Sequence, residues 1–428
     1  SAASRGTAYV SFDAHRDGDF APYLYRTTDF GKTWMAVTSG LPGDDASIRG
    51  LAEYPGRANV LFAGTERSLF VTHDSGAHWT KLSANLPTTR YDDILIHPRT
   101  HDLVLGTHGR SIWVLDDASP IAEWTPAIVA RRAHLFAVPR ATLMLYWEDV
   151  SNMDQYFYTA ENPAEGAAFT YHLAQPAQKV RLLVTTLAGK LVREVAGPGT
   201  AGVVHRVNWD LRFPVVAGAG RTGGGGGGGE EGGGGGGPGS QKPGVIQLPV
   251  PSHDIGPRGP HTAPGTFKVT LEVDGVVEAS RMFDVRADPA APQTLAEHKA
   301  REAFVVEVMQ LQLRVDSLAT TLATRRAAVT GDEATRLQGL EQLIVGGRGA
   351  PGGAPGAAVA GPGGGRGGTP GLRQRLGSLY GAFSGSGART GTLSAPTGAM
   401  RAVLSDVKAD IARIEKELKK GAPAKPTR

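Results

Sequence analysis

The sequence predicts a mainly β protein: a partial β-propeller, then a β-sandwich, then a C-terminal α-helical bundle. Strand-rich segments repeat in the first third of the chain, alternating strand patterns occupy the middle, and heptad-spaced apolar residues mark the last third. The 59 Gly residues of this 428-residue chain are concentrated in two tracts, so the remainder has an ordinary globular composition.

The repeated unit aligns on a Leu/Ile-aromatic pair that is followed by Asp. The aligned residues are Asp29, Asp74 and Asp117, at intervals of 45 and 43 residues. A β-rich run precedes each copy and is separated from it by turn residues. Because such a period with several short strands is typical of propeller blades, residues 1–130 should form about two and a half blades.

Two copies continue as a shared turn motif, the Asp box. Its Asp should accept backbone N–H groups, its Gly should take a positive φ, and its Trp should fill the space between neighbouring sheets. We therefore interpret the motif as structural, with no chemistry of its own. The third copy has lost the Gly and the Trp. The structural positions are Asp29, Gly31, Trp34, Asp74, Gly76 and Trp79.

With Asp13–Tyr23 and Gly106–Asp117, these repeats resemble the bacterial sortilin-like, Asp-box (BNR repeat) propeller proteins, which are often labelled glycosyl hydrolases. The resemblance covers most of the chain outside the Gly-rich tracts. It implies an exported protein, periplasmic or extracellular at the cell surface, whose signal peptide is not in this chain. Since a closed propeller needs at least four blades, the implied partners are upstream blades of the same precursor or a partner chain.

The candidate binding surface consists of polar loops that follow equivalent strands in neighbouring repeats, so they should share one face of the ring. Salt bridges that stabilise the blade junctions are the alternative role for these side chains. The residues are His15, Arg16, Asp17, Asp19, His108 and Arg110.

The sequence contains no recognisable catalytic constellation. It has no Cys, which excludes thiol nucleophiles, thiolate metal sites and disulfides. Neither an Arg-Ile-Pro motif of sialidases nor a Gly-x-Ser-x-Gly elbow with placed partners is visible. Two groups lack the ligand spacing that zinc or calcium requires. They are His97, His101 and His108, and Asp13, Asp17 and Asp19. We predict no catalytic residue, metal or cofactor.

Alternating patterns predict an antiparallel sandwich over 165–288, after a linker at 131–164. The runs Leu187–Arg193 and Asn208–Arg212 resemble an Ig-like module of flagellar hook-cap proteins and of this family's tails. Within it, Trp209 is expected in the core, although Trp209 and Asp210 could also be a ligand pair. The Gly-rich loop 217–263 should be disordered, because it cannot bury apolar area.

Two apolar seams predict a helical bundle or hairpin over 293–420, with a Gly/Pro-rich linker at 346–370 and a basic tail at 421–428. The seams should pack on each other, and oligomerisation through one of them is the alternative. They are Phe304, Val308, Leu311, Val315, Leu318 and Leu322, and Leu404, Val407, Ile411, Ile414 and Leu418.

The charge of the chain is asymmetric, because residues 293–428 hold 19 Lys and Arg against 11 Asp and Glu. These basic residues lie along helical faces without interleaved aromatic residues, which favours a solvated surface over nucleic-acid binding. No apolar run is long enough for a membrane span. The favoured function is non-catalytic binding of extracellular protein, peptide or glycan, or a role as a surface-assembly subunit. The alternative is a sialidase-like or glucanase-like glycoside hydrolase with its catalytic residues largely on missing blades.

Overall fold

The fold is mainly β, with a C-terminal helical region. It is known from a computed structural model. The described residues are 1–44, 46–83, 85–145, 164–216, 258–347, 369–384 and 391–420.

The first third forms three consecutive sheets in which each strand pairs antiparallel with its neighbour in sequence. The first sheet contains β1 (Ala8–Phe12), β2 (Tyr23–Thr27) and β3 (Met35–Ala36). The second contains β4 (Gly50–Tyr54), β5 (Arg57–Gly64), β6 (Leu69–Thr72) and β7 (Thr80–Leu82). The third contains β8 (Tyr91–Ile96), β9 (Leu103–Thr107) and β10 (Ile112–Leu115).

The three sheets pack face to face in chain order. Leu24 of the first sheet lies in one apolar cluster with Leu61, Phe70 and Trp79 of the second. Leu69 of the second lies in another cluster that contains buried side chains of β8 and β9. Two short helices, α1 (Ser119–Glu123) and α2 (Pro126–Val129), follow the third sheet, and α1 adds Ala122 to the second cluster.

The middle of the chain forms two sheets around one apolar core. One sheet has the order β11 (Ala133–Leu135), β13 (Ala167–Leu173), β16 (Val204–Trp209). The other has the order β12 (Ala141–Leu143), β18 (Val276–Ala287), β17 (Gly265–Val273), β14 (Val180–Thr186), β15 (Leu191–Gly197).

Two sequence expectations need correction here. The predicted linker 131–164 supplies β11 to one sheet and β12 to the other, because its short apolar runs complete the core. The pairing is also not wholly antiparallel, since β12 runs parallel to β18. Trp209 is buried in this core, and its indole N–H donates to the carbonyl of Arg212 at 3.0 Å, so a role as an exposed ligand platform is excluded.

The Gly-rich loop predicted at 217–263 lies mostly outside the described residues, but its last part does not behave as expected. Residues 259–263 are buried. The amide of Phe213 donates to the carbonyl of Pro260 at 2.9 Å, and that of Thr262 donates to the carbonyl of Leu211 at 2.8 Å. The segment is fixed because these bonds satisfy its backbone beside the sandwich.

The C-terminal region consists of α3 (Leu295–Ala327), α4 (Asp332–Val345), α5 (Leu372–Gly381) and α6 (Gly398–Lys420). A capping box between Thr294 and Glu297 begins α3. Two-residue strands, β19 (Gly346–Gly347) and β20 (Thr369–Pro370), pair beside α4. Most of the Gly/Pro-rich linker and the basic tail lie outside the described residues.

The two predicted seams share one core with apolar side chains of α4 and α5. All of their residues are buried except Leu318, which is half-buried against the same core. Because the seams are used inside the chain, they leave no apolar stripe for the oligomerisation proposed from the sequence. Among the described residues, no helix combines the length and apolarity needed to cross a bilayer.

Candidate functional site

Three loops occupy equivalent places in the three sheets. They join β1 to β2 at 13–22, β5 to β6 at 65–68 and β9 to β10 at 108–111. We call them the rim loops. They contain all six residues of the predicted binding surface, and a short 3-10 helix, His15–Asp17, shapes the first of them.

Arg49 joins the first two rim loops. It lies directly before β4, and its guanidinium forms ion pairs with Asp13 of the first rim loop and Glu66 of the second. His15 extends this group, since its Nδ1 lies 2.6 Å from Oδ2 of Asp13. One cation therefore holds two loops from neighbouring sheets together.

Arg90 has the equivalent place before β8. Its Nε lies 2.6 Å from Oδ1 of Asp92, and its Nη2 lies 2.7 Å from Nδ1 of His108 in the third rim loop. The same His108 nitrogen is 3.4 Å from Oδ2 of Asp92. The second and third sheets are thus each preceded by an Arg whose side chain contacts a rim loop.

Backbone hydrogen bonds anchor the rim loops to neighbouring strands, and one of them joins the second rim loop to the third sheet. The amide of Arg49 donates to the carbonyl of Gly64 at 2.8 Å, and that of Tyr91 donates to the carbonyl of Thr65 at 3.1 Å. The amide of His108 donates to the carbonyl of Arg90 at 2.9 Å.

Two carboxylates of the first rim loop, those of Asp13 and Asp19, have lowered pKa values. Burial alone would raise the pKa of Asp13, but hydrogen bonds from the amide and ring of His15 and the charge of Arg49 bring it below its usual value. The hydroxyl of Tyr23 donates to Asp19 at 2.6 Å, and this bond, with one from the amide of Ala21, lowers the pKa of Asp19. Both groups are therefore anions at neutral pH.

The six predicted residues fall into two groups. His15, Asp19 and His108 are engaged in the contacts above, although His15 and His108 belong to separate ion-pair groups. Arg16, Asp17 and Arg110 are exposed, and their side chains form no ion pair with any described residue. The free charges available to a partner are those of the second group.

The two Asp-Gly-Trp turns share one geometry on their Asp side. Oδ1 of Asp29 accepts the amide of Thr33 at 2.9 Å, and Oδ1 of Asp74 accepts the amide of His78 at 2.8 Å. Gly31 has φ 83° and Gly76 has φ 91°. Both carboxylates serve the turn, and those bonds lower the pKa of Asp29 to about 2.

The Trp residues of these turns differ. Trp79 is buried between the second sheet and the first, as its place in the repeat predicts, whereas Trp34 is half exposed on the far side of the first sheet.

The histidines considered for metal binding do not converge. The amide and hydroxyl of Thr100 contact Nδ1 of His97, and His101 stacks on Tyr54 with ring centroids 5.2 Å apart. Within the described ranges, no group of three or more His, Asp or Glu side chains could hold a metal ion.

Sequence reasoning missed Arg49 and Arg90. The sequence held a signal for them, because each Arg directly precedes the first strand of its sheet. The interval between positions 49 and 90 is similar to the interval between the aligned Asp residues of the repeat. It was overlooked because the alignment was anchored on the Asp-Gly-Trp turns at the opposite end of the strands.

No protein-family model matches the chain, and no curated protein matches it. Among solved structures, YCF48 bound to D1 peptide matches at 22% identity and TM-score 0.18, covering 22% of this chain and 31% of that one. The extracellular domain of BT4673 from B. thetaiotaomicron matches at 10% identity and TM-score 0.19, covering 63% and 29%.

An ancestral GH74 enzyme matches at 14% identity and TM-score 0.18, covering 43% of this chain and 22% of that one. The chain thus spans less than a third of the length of each of these structures.

Proposed function

We propose that the chain is a non-catalytic binding protein whose three sheets are Asp-box propeller blades and whose rim loops form the ligand surface. The single observation that carries the proposal is the pair of junction arginines. Arg49 joins the first two rim loops and Arg90 contacts the third, so the two cations hold the loops that carry the exposed charges of Arg16, Asp17 and Arg110. A rigid scaffold under exposed charged loops is the usual construction of a binding face.

The ligand classes that fit are an extracellular protein or peptide, or a glycan. Two exposed guanidinium groups can each bind a carboxylate in a bidentate manner. A peptide with acidic side chains or an acidic glycan can therefore bind Arg16 and Arg110. The negative charge of Asp17 repels a ligand whose contacting surface carries only negative charges. This use places the protein outside the cytoplasm, in the periplasm or at the cell surface.

The carboxyl groups of the described residues give glycoside hydrolysis no support. A glycosidase needs a carboxylic acid whose pKa is raised, so that it can protonate the leaving group. Every described Asp or Glu with a shifted pKa is shifted downward, including Asp13 and Asp19 on the rim loops. None of these seven groups is therefore the acid with a raised pKa that glycoside hydrolysis needs.

A panel of peptides and oligosaccharides, both acidic and neutral, tests the proposal when applied to the full chain. The double variant Arg16→Ala/Arg110→Ala should weaken binding of the selected ligand at least about tenfold, as expected for two lost charge-assisted contacts. Arg193→Ala, on β15 of the sandwich, is the matched control and should bind normally. Equal affinity of the double variant and the wild type would refute the rim loops as the ligand surface, and release of reducing sugar would refute the non-catalytic role.

A further inference from the structure

The junction between the sandwich and α3 contains a group of buried basic side chains, which we call the junction cluster. Arg212 follows β16, and His261 lies in the segment 258–263, which we call the strap. His298 and Arg301 lie three positions apart on α3, so they share one face of the helix. Each of the four residues is at most 4% exposed. Because an arginine is almost never fully buried unless it is paired, the cluster requires an explanation.

The strap supplies hydrogen-bond acceptors to both arginines. Nη1 of Arg212 donates to the carbonyl of Gly259 at 2.9 Å, and Nη2 of Arg301 donates to the carbonyl of Thr262 at 2.6 Å. These bonds hold the strap against the sandwich on one side and against α3 on the other. They use only part of the hydrogen-bonding capacity of the cluster, since a guanidinium has five N–H groups.

Several polar atoms of the cluster are left over. Within the part of the chain that the structure describes, Nε of Arg301 and both ring nitrogens of His298 have no hydrogen-bond partner. His261 has no hydrogen bond of normal geometry either, although the carbonyl of Leu211 lies near its ring. The large majority of buried polar atoms in proteins have a partner. The unused donors come from α3 and from the strap, so they mark a site between these two elements.

The charge of Arg301 is poorly compensated. Burial lowers the pKa of Arg301 to about 10, the charge of Glu302 opposes this shift, and the charge of Arg212 adds to it. Oε2 of Glu302 accepts the amide of Ala263, so this carboxylate is engaged by the strap. A buried cation is stabilised by an anion that also accepts its hydrogen bonds. The cluster therefore favours an anion over a neutral group.

We propose that the junction cluster binds one tetrahedral oxyanion, phosphate or sulfate, between α3 and the strap. The donors are the Nε–H of Arg301 and one ring N–H each of His261 and His298, and the bond from Arg301 is charge-assisted. A tetrahedral anion suits these donors better than a planar carboxylate does, because they come from two separate elements and not from one plane. The bound anion joins the sandwich to the helical region.

This inference does not rest on the rim-loop ligand, so the two proposals can fail separately. The test uses the full chain, purified in chloride without phosphate or sulfate. Native mass spectrometry shows whether an oxyanion is retained, and Tm is then measured in phosphate, sulfate or acetate against chloride of equal ionic strength. Arg301→Met and His298→Leu each remove donors from the site. Arg314→Met, also on α3 but with a side chain that is 55% exposed, is the matched control.

The wild type and Arg314→Met should retain one oxyanion, or should gain about 3 °C or more in Tm at a tenfold excess of phosphate over its Kd. Arg301→Met should show neither effect, and His298→Leu should show a smaller one. Both variants remove a buried polar group that lacks a full set of partners, so they should remain folded. A wild type that neither retains an oxyanion nor responds to phosphate or sulfate would overturn the proposal. So would a full response in both site variants, or an equal response to acetate.

Discussion

The indole N–H of Trp79 donates to the carbonyl of Val37 at 2.8 Å and ties the second sheet to the first. This bond satisfies the one polar atom of a large buried ring, so the Trp can fill the junction without leaving a donor unpaired. Trp34 has the same place in its turn but lies on an open face. Trp34 and Trp79 belong to the same turn motif, but only Trp79 also fills a junction between two sheets.

Replacing Trp79 by Ala should lower the free energy of unfolding of the three-sheet region by about 3–5 kcal/mol, because it leaves a large cavity and an unpaired carbonyl. Trp34→Ala should cost less than about 1 kcal/mol, because the side chain is half exposed. Chemical denaturation of the full chain measures both. Equal costs would contradict the assignment of Trp79 as a junction residue.

The turn at Asp29 should give the protein a measurable acid sensitivity. Because hydrogen bonds from Thr33 and Thr27 lower the pKa of Asp29 from 3.8 to about 2, its stabilising effect is complete above pH about 4 and is lost as the pH falls towards 2. Asp29→Asn should therefore flatten the fall of Tm over this window, whereas Asp406→Asn on the exposed side of α6 should not. A curve for Asp29→Asn that parallels the wild type would argue against these bonds.

The junction between the sandwich and α3 should weaken in mildly acidic solution. Burial lowers the pKa of His261 well below 6.5, and the neighbouring Arg212, Arg301 and Arg258 lower it further. Burial beside Arg301 also lowers the pKa of His298. Since folding holds these rings neutral, stability should decline as the pH falls below about 6.5.

His261→Gln should reduce the slope of Tm between pH 6.5 and about 4.5, whatever its effect on Tm at neutral pH. His205, a half-buried residue of β16 outside this junction, offers a control as His205→Gln, which should keep the wild-type slope. An unchanged slope in His261→Gln would show that this buried ring does not titrate during unfolding.

Removing Arg49 should loosen the rim loops. Arg49→Met leaves Asp13, which is exposed, and Glu66, which is half-buried, without their shared cation. A loss of about 1 kcal/mol is expected, because solvent screens these charges in part. The triple variant that also carries Asp13→Asn and Glu66→Gln should recover part of this loss, because the uncompensated charges are gone. Additive losses would mean that the three groups do not interact.

Sequence periodicity was sufficient for the helical region and for most of the sandwich strands. The heptad spacing from Phe304 to Leu322 predicts one continuous helix, which α3 confirms. The turn between β17 and β18 is formed by Asp274 and Gly275, a pair that favours hairpins. The short strands β11 and β12 were missed because three residues give no period, and only the two-sheet core fixes them. Local patterns could not show this tertiary effect.

The candidate site was less accessible to prediction. His15 and His108 stood out as polar residues in matching loops, but the cations that organise those loops lie outside them. Arg49 reaches Asp13 from 36 positions away, a relation that depends on the packing of one sheet against the next. The difference between Trp34 and Trp79 was invisible for the same reason, since both have the same sequence motif.

Hydrogen exchange of the full chain, with and without the ligand selected from the panel, tests the central claim most directly. The account predicts slowed exchange at 13–22, 65–68 and 108–111, with the sandwich and helices unchanged. Arg16→Ala/Arg110→Ala should reduce that protection at the same ligand concentration, in line with its weaker affinity. Protection confined to the sandwich or the helical region would contradict the rim loops as the binding surface.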